Sequence, residues 1–392
     1  MLKTKLSLCA ASLISLTSYV VDTNAQDTLY PYGEGITLGD DSSFASMKFD
    51  ARVQMRYTSD YDSDPRAADD FFADEKRIIN INRSRFKASG HIYKPWLKYF
   101  SQFEIGDGIF IDYGFKVEKY KALSFKIGQW KLEYSRERSI SSGKQHLVDR
   151  SIVNRMVTID RHNAAAIYGR LNENTLSDIN YWVGIGSGTG RGDSLSGPGD
   201  PLYYGRFQWN PLGGGVELIT ADVDRHKEPA LSLGVAAASI EGEYSRFSSS
   251  GGGQVPRWES TDERVHVNQY VFDLSYMYKG LSVEAEYHDK KVSSAAQSDL
   301  SIDGYYAQAG YFLNEKLSWW PRQLELVGRY ATYTSEKIGI ERKNEEHTIG
   351  FNYFVSGHNN KVTVDFTQFD LQSLDNTTYD DNRIRAQWDI SF

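Results

Sequence analysis

Cysteine is almost missing from this chain: the single residue, Cys9, lies within the first 25 of 392 positions. Beyond it there is no thiol for a disulfide, a nucleophile or a cysteine-ligated metal. Long apolar runs are missing as well. After the N-terminal segment no stretch reaches the roughly 18 apolar residues of a membrane-spanning helix, which excludes a helical span. The common site motifs are also absent. The eight His are scattered without an H-E-x-x-H pair. The Gly-rich stretch 184–192 lacks both G-x-G-x-x-G and a following helix, and Arg191-Gly192-Asp193 reads as a chance tripeptide. Asp60-x-Asp62-x-Asp64 has the spacing of calcium-loop ligands but not the Gly and terminal Glu of an EF-hand, so it reads as a solvated acidic loop. No metal, cofactor or nucleic-acid partner is expected.

What the chain does have is aromatic residues and alternation. Aromatics make up 14% of it, including 26 Tyr and 8 Trp, as strands favour and as the interfacial girdles of membrane barrels require. At the C-terminus, Ile384, Ala386, Trp388, Ile390 and Phe392 alternate with Arg383, Arg385, Gln387, Asp389 and Ser391. Side chains of a barrel strand alternate between hydrocarbon and an aqueous lumen in this way. Sixteen such segments can be counted. They fall near 48–57, 84–92, 97–105, 109–118, 123–132, 162–170, 176–185, 202–210, 231–240, 266–278, 281–288, 303–313, 322–333, 347–355, 361–369 and 382–392. Connections after odd-numbered segments are mostly long and polar, and those after even-numbered ones mostly short, as in barrels with external loops and periplasmic turns. Two break the pattern: 106–108 is short, and 210–229 is long enough to hide part of a strand.

The fold class predicted is all-β: a transmembrane antiparallel β-barrel of about sixteen strands, with the third external loop folded inward. Residues 1–25 read as a signal peptide, with Lys3 and Lys5 before an apolar core and Thr23-Asn24-Ala25 at the cleavage site. Residues 26–45 would form a periplasmic lead-in and 46–392 the barrel, in the outer membrane of a Gram-negative bacterium. The expected surroundings are outer-membrane lipid and lipopolysaccharide, with Phe392 as the end read by the barrel-assembly machinery.

Inward charge decides what a pore admits. The alternation turns Arg52 and Arg56 inward on the first segment, beside Asp50. It does the same for Arg83, Arg85 and Lys87 on the second, and for Arg383 and Arg385 on the last, beside Asp389. Closure of a barrel pairs last strand with first, so these seven cations share one wall. Arginine suits oxyanions because its planar fork donates two hydrogen bonds at once. Segment 134–161 adds Arg136, Arg138, Lys144, Arg150, Arg155 and Arg161 against three acids, and it carries Leu147, Val148, Ile152, Val153, Met156 and Val157. So apolar a loop is expected to pack against the wall and narrow the lumen. Ser135, His146 and Asp149 form the one local trio suggesting a hydrolase, a reading set aside in favour of a channel. A plugged barrel serving structure or ligand binding is the remaining alternative.

The run Gly128-Gln129-Trp130-Lys131-Leu132-Glu133-Tyr134-Ser135-Arg136-Glu137, followed by Leu147-Val148-Asp149-Arg150-Ser151-Ile152-Val153-Asn154-Arg155, resembles the phosphate-selective porin O/P family. Segments 83–90 and 209–213 are similar to further family segments in the same order. The resemblance implies a sixteen-stranded homotrimer whose third external loop forms a constriction, with basic residues guiding small anions such as phosphate or polyphosphate. By position it places Lys131, Arg136 and Arg150 in the loop block and Arg83 and Arg85 on the second strand. The chain departs at Glu133, where that family usually has Pro, putting an acid beside the expected constriction. The acidic first loop likewise opposes simple electrostatic attraction at the mouth.

Overall fold

The computed structural model describes residues 33–59, 77–188, 190–192, 201–242, 265–295, 298–337, 339–373 and 377–392. The expected signal peptide, the acidic stretch 60–76 and Asp193 of the Arg-Gly-Asp tripeptide lie outside the described residues.

A short strand β1 (Ile36–Leu38) precedes β2 (Ala45–Thr58), β3 (Ile78–Ile92), β4 (Lys94–Glu104), β5 (Ile109–Tyr120), β6 (Leu123–Lys131), β7 (Arg161–Leu171), β8 (Asp178–Gly186) and β9 (Leu202–Asn210). The second half comprises β10 (Ala230–Gly242), β11 (Val265–Tyr278), β12 (Leu281–Ser294), β13 (Leu300–Tyr311), β14 (Leu324–Lys337), β15 (Ile340–Ser356), β16 (Asn360–Gln372) and β17 (Thr378–Ser391). From β2 to β17 each strand pairs antiparallel with the next, and β17 pairs with β2. The result is a closed sixteen-stranded barrel, with β1 lying along the start of β2. Closure leaves no sheet edge with unpaired backbone groups, which hydrocarbon cannot satisfy. It continues to the last residue: Phe392 exchanges backbone hydrogen bonds with Ala51 in both directions, at 2.8 and 3.2 Å.

All sixteen expected segments are strands, and several run further than their apolar alternation. β14 and β15 extend to Lys337 and Ile340, so the long polar loop expected at 335–345 is mostly paired strand. Polar residues continue the ladder there because backbone hydrogen bonds, not side-chain burial, hold it. The start of β3 was hidden for another reason. Gln54 pairs with Arg83 but Met55 pairs with Ile81, leaving Asn82 as a bulge. That extra residue turns Ile79 and Ile81 outward, where they are exposed, while Arg83 and Arg85 keep their inward phase. Segment 211–229 hides no strand. It folds as an irregular connection whose residues Val216, Ile219, Ala221 and Thr220 are buried.

The two barrel faces differ as the alternation requires. Phe115, Phe125, Ile127, Val183, Tyr203 and Phe207 are exposed on the outside. Inside, the described strands carry Arg52, Gln54, Arg56, Arg206, Asp273, Glu284, Glu286, Glu346, Asp365 and Arg385, all buried. The core is therefore not between layers but inside the barrel, where segment 132–160 packs.

Candidate functional site

Segment 132–160 leaves β6 and contains two short helices, Arg136–Ser139 and Ile152–Val157. Ser135 caps the first by accepting from the Arg138 N–H at 3.0 Å, and Ser151 caps the second by accepting from the Asn154 N–H at 3.3 Å. Ile152, Val153, Met156 and Val157 pack with Val265, Val267 and Val271 of β11, Ile302 and Tyr306 of β13 and Phe369 of β16. Backbone groups that no strand satisfies are met by side chains of the wall. Carboxylates accept from the segment's N–H groups: Glu286 from Glu137 (2.6 Å), Asp365 from Val148 (2.9 Å) and Glu346 from Ile152 (2.8 Å). Its carbonyls accept from Arg206 at Tyr134 (2.9 Å), Asn352 at His146 (2.8 Å), Arg329 at Asp149 (2.9 Å) and Gln269 at Val157 (3.0 Å).

Asp149 faces the other way, toward the wall formed by β17, β2 and β3. Its carboxylate lies 2.9 Å from Arg56, 3.0 Å from Arg385 and 3.9 Å from Arg83. Burial alone would raise this acid, but Arg56, Arg385, Arg83 and Arg383 hold it well below the usual carboxylate range. The register confirms the shared wall, since Arg52 lies opposite both Ser391 and Arg85, and Arg56 opposite Gln387. Arg385 also forks onto Asp365 at 3.1 and 3.2 Å. Arg383 is buried with its guanidinium 5.0 Å from the Phe369 ring. Arg85 pairs with Glu104 at 2.6 Å and Lys87 with Asp50 at 2.8 Å.

The cations of the segment divide into two kinds. Arg138 pairs with Asp160 (2.5 Å) and Arg136 with Glu284 (3.1 Å), and Arg136 also donates to the Val216 carbonyl at 3.2 Å. Lys131 and Arg150 meet carbonyls instead. Lys131 donates to Arg138, Ser139 and Ile140 (2.8, 3.1 and 3.2 Å), and Arg150 to Glu137 and Ile140 (2.9 and 2.7 Å). Arg52 donates to the hydroxyls of Ser141 and Ser142 at 3.1 and 2.7 Å. Gly143 makes room for it: an added Cβ would stand 2.3 Å from Nη1. Among the described residues, no carboxylate lies within ion-pair distance of Arg52, Lys131 or Arg150. Hydroxyl and carbonyl dipoles, rather than carboxylates, hold these three. Arg155 is half-buried with its Nε unbonded.

The twelve candidate cations thus divide between segment 132–160 and the wall it faces: Arg136, Arg138, Arg150 and Arg155 lie in the segment, Lys131 ends β6 just before it, and the other seven lie on β2, β3 and β17, where Lys87 pairs with Asp50. The trio Ser135, His146 and Asp149 is not brought together. Ser135 donates to Glu286, His146 meets Ser282 and Glu325, and Asp149 the arginines. The acidic wall of Asp273, Glu284, Glu286, Glu325 and Glu346, on β11, β12, β14 and β15, was not singled out from the sequence. Its signal was present in the inward alternation of Glu284 and Glu286.

The sixteen-stranded closed barrel with its buried, charged interior defines a porin-type fold. Residues 252–391 match the model of the family described as phosphate-selective porin O and P, a region separate from the 128–155 motif that first carried the resemblance. Solved structures with the same fold include OmpT, an outer membrane protein of Vibrio cholerae, at 11% identity and a TM-score of 0.57, covering 90% of this chain and 98% of that one. An anion-selective porin from Comamonas acidovorans shares 13% identity at a TM-score of 0.57, covering 89% and 100%. The outer membrane channel DcaP of Acinetobacter baumannii shares 11% at 0.55, covering 89% and 97%. No curated protein matches the chain by sequence.

Proposed function

We propose that this protein is a passive diffusion channel of the Gram-negative outer membrane with a preference for anions, phosphate among them. In this reading segment 132–160 is the third external loop, folded inward as a constriction. The permeating anion passes the wall of Arg52, Arg56, Arg83, Arg85, Lys87, Arg383 and Arg385 and the loop cations Lys131, Arg136, Arg138, Arg150 and Arg155. The observation that carries it is the closure of β17 on β2, which aligns the arginines of three strands opposite the loop. The family match over 252–391 and the anion-selective neighbour support the same direction. A homotrimer seated in lipid and lipopolysaccharide, with Phe392 as the end read by the barrel-assembly machinery, belongs to this reading; a trimer form is named for one neighbour.

Bilayer recordings of the purified channel test it. Anion preference should appear in the reversal potential across a chloride gradient, and phosphate should reduce the chloride current. Replacing Arg83 and Arg85 together by Glu should move selectivity toward cations. A wild-type preference for cations that persists across salt concentrations would overturn the anion reading. A folded oligomer without conductance would favour the plugged barrel.

A further inference from the structure

Away from the arginines, β4, β5 and β6 carry a second cationic feature. Lys98 lies directly opposite Lys116, and Lys116 directly opposite Lys126. Like charges placed opposite one another across a sheet cost stability, so three in one row need both neutralisation and a reason. Two acids supply the first. Glu118 lies 2.8 Å from Lys98 and 3.9 Å from Lys116, and Glu133 lies 3.1 Å from Lys126. One cation remains in excess.

The neighbouring row is Phe100, Gly114 and Gly128. A Cβ on Gly114 would stand 3.0 Å from Phe100 Cζ, and one on Gly128 only 2.5 Å from the Gly114 Cα. The phenyl ring therefore lies across bare backbone. Lys116 and Lys126 each place Nζ 5.4 Å from its centroid, and Lys126 lies 4.3 Å from the Trp130 ring. Phe100 is only half-buried and the Lys116 side chain is one-third exposed, while that of Lys126 is 12% exposed behind Glu133, so Lys116 is the more accessible of the two lysines. Glu133, the acid where the resembling family usually has Pro, holds this corner together by accepting from the Trp130 indole at 3.0 Å and the Tyr204 hydroxyl at 3.3 Å.

We propose that this corner binds organic anions: a phosphate or carboxylate between Lys116 and Lys126, with a ring or CH-rich body on Phe100. A bare oxyanion gains nothing from a phenyl face, and the donor-rich arginine cluster suits it better. An anion carrying a planar body gains from both groups. The proposal rests on the anion-channel reading and adds a substrate class to it.

Block of chloride current by phenyl phosphate, compared with inorganic phosphate in the same bilayer, tests the site. Phenyl phosphate should act at a concentration roughly tenfold lower, the scale of one aromatic contact. Phe100→Leu, which keeps apolar volume, and Phe100→Ala should both remove that advantage and leave the inorganic phosphate response unchanged. Lys116→Gln with Lys126→Gln should weaken block by phenyl phosphate. Equal block by the two probes in the wild type, or an advantage that survives Phe100→Leu, would overturn the site while anion preference stood. Cation preference in the wild-type reversal potential would remove both readings.

Discussion

At the scale of single residues, Asp149 sets the character of the arginine wall. It already occupies the position an anion would seek, between Arg56, Arg385 and Arg83. Because those arginines strengthen it as an acid, the carboxylate stays charged as pH falls well below neutral. Whatever stability it confers is present above its unfolded value and lost only in strong acid, as pH passes the folded value. Asp149→Asn should therefore free the cluster and shift the reversal potential further toward anions, with little dependence on pH between 5 and 9. Three guanidinium groups would lose a shared counter-charge, so the variant should also be less stable, by about 3 kcal/mol, a typical cost of breaking a partly buried pair. A reversal potential identical to the wild type would place the ion path elsewhere. The arginines themselves were legible in the sequence because alternation fixes which way a strand residue points. Asp149 was legible only as a loop acid; which cations it meets depends on strands nearly a hundred positions before it and more than two hundred after it.

At the scale of elements, the attachment of segment 132–160 rests on acids from the far wall and on one acid of its own. Glu137 accepts from the Ser151 N–H at 2.7 Å and from the Ser151 hydroxyl at 3.0 Å, bracing the two helices against each other. Burial, only partly offset by Arg329, pushes its carboxyl up to about 8. An acid whose folded value is raised binds its proton more firmly in the folded state. Its favourable contribution is thus greatest below about pH 4.5 and declines as pH rises toward 8. Docking of the segment should weaken over that window, read as a falling melting temperature or rising protease sensitivity. Glu137→Gln keeps an acceptor for Ser151 and should flatten the dependence. A slope unchanged in that variant would assign the effect to other groups. That the segment packs inward was readable from Ile152, Val153, Met156 and Val157, which no solvated loop would carry. The matching apolar rim was harder to read, since Val265, Val267 and Val271 are apolar residues turned inward, the reverse of the usual barrel pattern.

At the scale of the whole molecule, the lumen is filled from both ends on one side. The connection 211–229, read from sequence as a possible strand, reaches the same segment from the opposite direction. Arg136 donates to the carbonyls of Val216 and Glu217, and the Thr220 N–H and hydroxyl both donate to the Lys144 carbonyl, at 3.2 and 2.9 Å. The rest of the connection is anchored to the wall. Asp222 accepts from the Gly280 N–H at 2.7 Å, Arg225 stacks on Phe312 at 3.4 Å, and Val216 and Ile219 pack on Met277. The two segments together cover inward-facing residues of β11 to β16. The arginine wall on β17, β2 and β3 and the lysine row on β4, β5 and β6 lie next to one another around the barrel. An irregular connection gives no periodic signal, so this arrangement had no signature in the sequence beyond excess length. The ladder between β9 and β10 already pairs Trp209 with Leu233, so a tight Asn-Gly turn can replace 211–231 without changing the register. Such a channel should conduct more and select less, because ions gain a route past the acidic wall that avoids the arginines. Unchanged conductance with unchanged selectivity would mean that the connection supports the segment without bounding the passage.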